Sequence, residues 1–149
     1  MKNLFEATTV DEIKERIERL RPDSERRWGK MSVAQMLAHC SAWMELAAGL
    51  KSSPRSRIGR IFGHLAKRSV LGEEPVRKNM PTDKILLIED ERPFADEKVR
   101  LRNWVDRFSA NGREGCTKHP HSFFGSMTPD EWAMMGYKHL DHHLRQFGA

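Results

Sequence analysis

The 149 residues are enough for one domain with a core that needs no disulfide or metal staple. Hydrophobic residues at 38% against 32% charged describe a surface-rich chain, and no apolar run approaches the roughly 20 residues that span a bilayer. The net charge of +5 is unevenly placed: residues 51–78 hold eight basic and two acidic side chains, and the rest hold eighteen against nineteen.

The N-terminus, Met1-Lys2-Asn3-Leu4-Phe5-Glu6-Ala7, lacks the apolar stretch and cleavage site of a secretory signal, so the cytoplasm is the expected compartment. A first helix is predicted over residues 10–20. Val10, Ile13, Ile17 and Leu20 recur at helical spacing, Thr9 and Glu12 offer a capping box, and Pro22 closes it. A second is predicted from Ser32, with Gln35 as box partner, to Ala48 before Gly49. Its core face is Val33, Met36, Leu37, Cys40, Met44 and Ala47, while Gln35, His39 and Trp43 share a neighbouring face.

The stretch that follows is irregular. Ser52-Ser53-Pro54 reads as loop, residues 58–70 as a short basic helix, and residues 71–82 hold two prolines and a glycine. A third long helix is predicted after Pro93, with Phe94, Val99, Leu101, Trp104, Val105 and Phe108 apolar, ending before Asn111-Gly112. In the last helix, residues 129–147, Thr128 caps, Pro129 takes the first position, Glu131 completes the box and Gly148 ends the run. Strand signals are nearly absent. Four long helices predict an all-α, antiparallel four-helix bundle with an irregular basic segment between the second and third.

His139 and His143 are four residues apart and therefore project from one helix face. Neutral imidazole is a favoured ligand for divalent ions, zinc and nickel among them. Three histidines from two helices, with His39 as the third, would leave coordination positions open, as catalytic metal sites do. Against this, seven histidines supply such pairs by chance, and a histidine on a half-apolar face is commonly just a packed, hydrogen-bonded side chain. His142 lies about 100° from His143 on an ideal helix and fits a surface or supporting role. Cys40 reads as a small buried hydrophobe and Cys116, in a glycine-rich loop, as an exposed thiol without a role.

The pattern Trp28-Gly29-x-Met31-Ser32-x-x-Gln35-Met36-Leu37-x-His39, with His139-x-x-His142-His143-x-x-Gln146, resembles the DinB (YfiT-like) superfamily of metal-dependent enzymes. The segment His119-Pro120-x-x-Phe123-Phe124-Gly125-x-Met127-Thr128-Pro129-x-x-Trp132, with residues 137–148, resembles one small branch catalogued as a domain of unknown function. The resemblance implies a four-helix bundle in which His39, His139 and His143 hold a divalent ion, zinc or nickel first and manganese or iron after them. Relatives in the superfamily transfer low-molecular-weight thiols, isomerise maleylpyruvate or hydrolyse.

The supporting residues expected are Gln35, one turn before His39, and Gln146, one turn after His143. Gln35 has an alternative as the cap partner of Ser32. His119, in the loop entering the last helix, is the candidate acid or base, with an inert polar residue as the plain alternative. The expected function is thiol transfer on a small molecule, with metal-dependent hydrolysis and a non-catalytic stress-response bundle as alternatives. An anionic thiol is the expected partner, steered by residues 51–78; a solvated surface is the commoner fate of such a charge run. No helix-turn-helix, zinc-finger or RNP pattern supports nucleic acid, no membrane partner is expected, and a homodimer is.

Overall fold

A computed structural model describes Met1–Ala149 in full. Five α-helices follow in order: α1 (Ala7–Arg19), α2 (Val33–Ala47), α3 (Arg57–Val70), α4 (Phe94–Asn111) and α5 (Pro129–Gln146). Short 3-10 turns occur at Lys84–Leu86 and Arg113–Gly115, and the only β feature is a single bridge between His121 and Gly125. No helix is long and apolar enough to cross a membrane.

Helices α1, α2, α4 and α5 form the bundle: α2 packs along α4 and α5, and α1 along the same two. Ile13 and Ile17, Met36, Leu37 and Met44, Leu101 and Val105, and Leu140 and Leu144 meet in one core, each almost wholly buried. Every such side chain stabilises the fold by about 1.5–3 kcal/mol relative to exposure. The expected four-helix bundle thus describes the core but not the whole chain, because the basic segment contributes a fifth full helix, α3, outside it.

Two of the expected caps are present as drawn. Ser32 with Gln35 and Thr128 with Glu131 both make reciprocal capping boxes, and Pro129 opens α5. The third is corrected. Helix α1 starts at Ala7, after Glu6, with no side-chain cap. Thr9 instead donates to the Glu6 carboxylate at 3.1 Å, and Glu12 pairs with Lys2. The cause lies upstream: Leu4 is fully buried and its N–H donates to the Ala133 carbonyl at 3.2 Å. The chain is therefore anchored to α5 before the apolar stripe begins, and the helix forms earlier.

Helix α3 rests on the segment that leads into α5. Gly59 and Gly63 press against the Phe123–Phe124 backbone so closely that a Cβ on either would overlap the Phe123 carbonyl. Arg55 donates to the His121 carbonyl at 2.8 Å and the Ser56 N–H to the Ser122 carbonyl at 2.9 Å, which fastens the same junction. Cys40 is buried as expected, but Cys116 is buried too rather than exposed, and burial pushes its thiol up to about 11. Neither is an activated nucleophile.

Candidate metal centre

The capping boxes set the register of two helices that face each other across the core. His39 lies two turns into α2, and His139 and His143 lie in the second half of α5. One ring nitrogen from each of the three falls within 4.8 Å of the others. The ring centroids are separated by 5.0, 4.7 and 4.7 Å.

The hydrogen bonds behind the rings decide which nitrogens face inward. His39 Nδ1 is 2.8 Å from the Leu86 carbonyl, which can only accept, so Nδ1 carries the proton and Nε2 keeps its lone pair. The amide of Gln146 donates through Nε2 to the Trp28 carbonyl at 2.7 Å. That orients Gln146 Oε1 toward His143 Nδ1, at 2.9 Å, and leaves His143 Nε2 as the free base. The Trp28-Gly29 turn encloses this amide: Gly29 has φ +81°, and a Cβ there would overlap Gln146 Nε2.

His139 supplies the test of fit. Its Nε2 is 3.0 Å from His39 Nε2, and its buried Nδ1 has no partner. If Nδ1 carries the proton, two nitrogen lone pairs confront one another at 3.0 Å. If Nε2 carries it, a buried acceptor is left bare. A cation held by the facing lone pairs of His39 and His139, with His143 beside them, removes that conflict while His139 Nδ1–H stays unpartnered, so the donor set fits a divalent ion.

The electrostatics agree. Burial lowers the pKa of His39, of His139 and of His143, the last to about 3, and mutual repulsion among the imidazoles adds to it for His139 and His143. All three are neutral near pH 7, the form that ligates. Trp43 stacks on His139 with ring centroids 5.2 Å apart and planes 23° from parallel, and Trp132 lies behind it at 5.8 Å.

Beside the triad, His142 sits edge-on to His143 at 5.0 Å and to Trp28 at 5.6 Å, with Nδ1 donating to the Val76 carbonyl. It lines a cleft of about 190 Å³ together with Trp28, Arg77, Lys78 and Arg145. The Lys78 ammonium lies 4.3 Å from the centre of the Trp28 ring. Asp141 approaches Arg145 at 3.6 Å, and Arg77 and Lys78 have no carboxylate partner.

Two expected residues lie elsewhere. Gln35 accepts from the Ser32 N–H and donates to the Glu89 and Asp90 carbonyls at 3.3 and 3.2 Å, so its amide is consumed in capping α2 and holding that loop. His119 is exposed, and its only hydrogen bond is from its backbone N–H to Thr117 Oγ1. The histidine that turns inward is His121. Its ring packs on Phe124 and Trp132 at 4.6 and 5.6 Å, and Nδ1 accepts from the Phe123 and Phe124 N–H groups. Burial lowers its pKa to about 4. The Leu86 and Trp28 carbonyls are main-chain atoms and carry no side-chain signature in the sequence.

The profile of a family described as Protein of unknown function (DUF1569) matches residues 2–149. The chain belongs to the DUF1569 family. No curated protein and no solved structure matches it. The family match bears out the expectation of a branch of unknown function, and the association of DUF1569 with the DinB/YfiT-like superfamily is the looser one. What this DUF1569 chain presents is a helical bundle with a histidine triad able to chelate a divalent ion.

Proposed function

We propose that this DUF1569 protein is a metal-dependent enzyme acting on a small molecule, with thiol transfer as the reaction class. The convergence of three neutral imidazoles, two of them locked in the ligating tautomer, carries the reading. A divalent ion bound there, zinc or nickel before manganese or iron, would supply Lewis acidity toward a thiol.

The chain's own residues have separable tasks. The Leu86 carbonyl and Gln146 hold the imidazoles in orientation, and Trp43 shields His139 from water. The cleft with Arg77, Lys78 and Arg145 attracts an anionic small molecule to His142, whose ring abuts His143. In the reaction the thiol gives up its proton to solvent and its sulfur forms a bond to an electrophilic carbon, from which a leaving group departs with its electron pair. No protein nucleophile is needed, in keeping with two buried, unactivated cysteines.

One observation favours a second reading, a structural ion. His39 is 2% and His143 8% exposed, which is deep for a site that admits substrate. Elemental analysis of untagged protein tests the site itself: about one equivalent of metal is expected, and none in the His39→Ala, His139→Ala, His143→Ala variant. Cobalt substitution separates the readings. A visible spectrum that changes on adding a thiol means an open position, and an unchanged spectrum means a closed, structural one. Stripped and metal-loaded protein with equal rates of thiol addition and of ester hydrolysis would refute the enzyme reading.

A further inference from the structure

Helix α3 turns toward solvent the face that such helices ordinarily hide. At 100° per residue its side chains fall into three arcs. Gly59 and Gly63 form the arc pressed on the Phe123–Phe124 backbone. Ile58, Ile61, Phe62 and Leu65, exposed by 63, 73, 56 and 66%, form a second arc about 100° wide. Arg57, Arg60, His64 and Arg68, all exposed, form the third, adjoining the apolar arc at Ile61. Turning the apolar arc inward would take a rotation of about 130° and would break the glycine packing.

The charge of the segment that carries this stripe has one sign. No acidic residue occurs between Lys51 and Gly72. Lys51 and Lys67 are paired, with Glu45 and Glu131, but Arg57, Arg60 and Arg68 have no carboxylate partner.

We infer that α3 docks this protein on the surface of a bilayer containing anionic lipid. A helix with aliphatic and aromatic side chains on one face and arginines beside it lies in the plane of such a surface. Ile58, Ile61, Phe62 and Leu65 enter among the acyl chains while Arg57, Arg60 and Arg68 meet headgroup phosphates. Docking of this kind needs no membrane-spanning segment. A second copy of the chain is the poorer occupant. Antiparallel two-fold packing of α3 on α3 would set its arginines against one another, and in either orientation a facing α3 offers them no carboxylate, since residues 51–72 contain none.

The test is sedimentation of the 149-residue chain, as purified, with vesicles of phosphatidylcholine alone and of phosphatidylcholine mixed with phosphatidylglycerol. Binding to the mixed vesicles is expected, weakened by salt, with at least tenfold less on the neutral ones. Ile61→Ser with Phe62→Ser, and separately Arg57→Glu with Arg60→Glu, are each expected to lower binding at least tenfold. Both change exposed side chains, and an unaltered circular dichroism spectrum and metal content would show that the fold persists. Failure to bind mixed vesicles overturns the inference, and so does equal binding by wild type and the serine variant, which would be adsorption by charge alone. A dimer by light scattering that the serine variant makes monomeric gives the face to a second copy and overturns it as well.

Discussion

Removing the Gln146 amide isolates the device that aims His143. In Gln146→Ala the buried His143 Nδ1–H loses its acceptor and the Trp28 carbonyl its donor, hydrogen bonds of 2.9 and 2.7 Å. Leaving a buried polar group unpaired costs about 1–3 kcal/mol, so the two groups lower the stability of the metal-free protein by about 2–6 kcal/mol, before the space left by a side chain 3% exposed is counted. The imidazole is then free to rotate or change tautomer, and metal affinity falls about 10–100-fold, or about 1.4–2.7 kcal/mol. Urea unfolding in the presence of a chelator reads the first quantity, and competition with a chromophoric chelator reads the second. Gln35→Ala is the control. It removes a capping interaction worth about 1 kcal/mol from α2 yet should leave metal affinity unchanged. A Gln146→Ala variant with wild-type affinity, or a Gln35→Ala variant that loses as much, would refute the argument.

Acid should destabilise the metal-free protein. The folded pKa of His143 is about 3, lowered first by burial from 6.5, so between those values the unfolded chain binds a proton that the folded chain refuses. Stability therefore falls as the pH drops below about 6.5, with a loss of about 2 kcal/mol from His143 alone by pH 5, checked by urea midpoints at pH 7 and 5. A midpoint that holds or rises would contradict the burial of neutral imidazoles. Gly63→Ala should lift α3 off the Phe123–Phe124 backbone, speeding limited proteolysis within residues 51–72 while metal content is retained. His119→Ala should leave stability within about 0.5 kcal/mol of wild type, as exposed substitutions do. His121→Ala strips an acceptor from two backbone N–H groups and should cost about 1–3 kcal/mol by thermal unfolding.

The bundle and two of the three clustered histidines were legible because both obey helical spacing, while His39 joined them through the family resemblance. Ser32 and Thr128 mark where α2 and α5 begin, and an i, i+4 pair on one helix must share a face, so His139 and His143 could be placed together without coordinates. Loops have no such period. His119 and His121 are equally polar in the sequence, and only the backbone bridge between His121 and Gly125 turns the second inward. The start of α1 was hidden because Leu4 is buried against α5, a tertiary contact that no local pattern reports. The Leu86 carbonyl that orients His39 is a main-chain atom, invisible in any residue alphabet until the 3-10 turn brings it to α2. Helix α3 was read correctly as basic and helical, but its outward apolar arc depends on the two glycines that dock it backwards.

The members of the triad are far apart in the chain: His39 and His139 are one hundred positions apart. An ion gripping both would be a cross-link closing about two thirds of the polypeptide into a ring. Closing a loop of that length takes on the order of 4–5 kcal/mol of conformational entropy from the unfolded chain, comparable with a well-placed disulfide. Unlike a disulfide, this staple opens with a chelator and needs no oxidant. Metal supply would then add to the equilibrium stability of a fold that also stands without it.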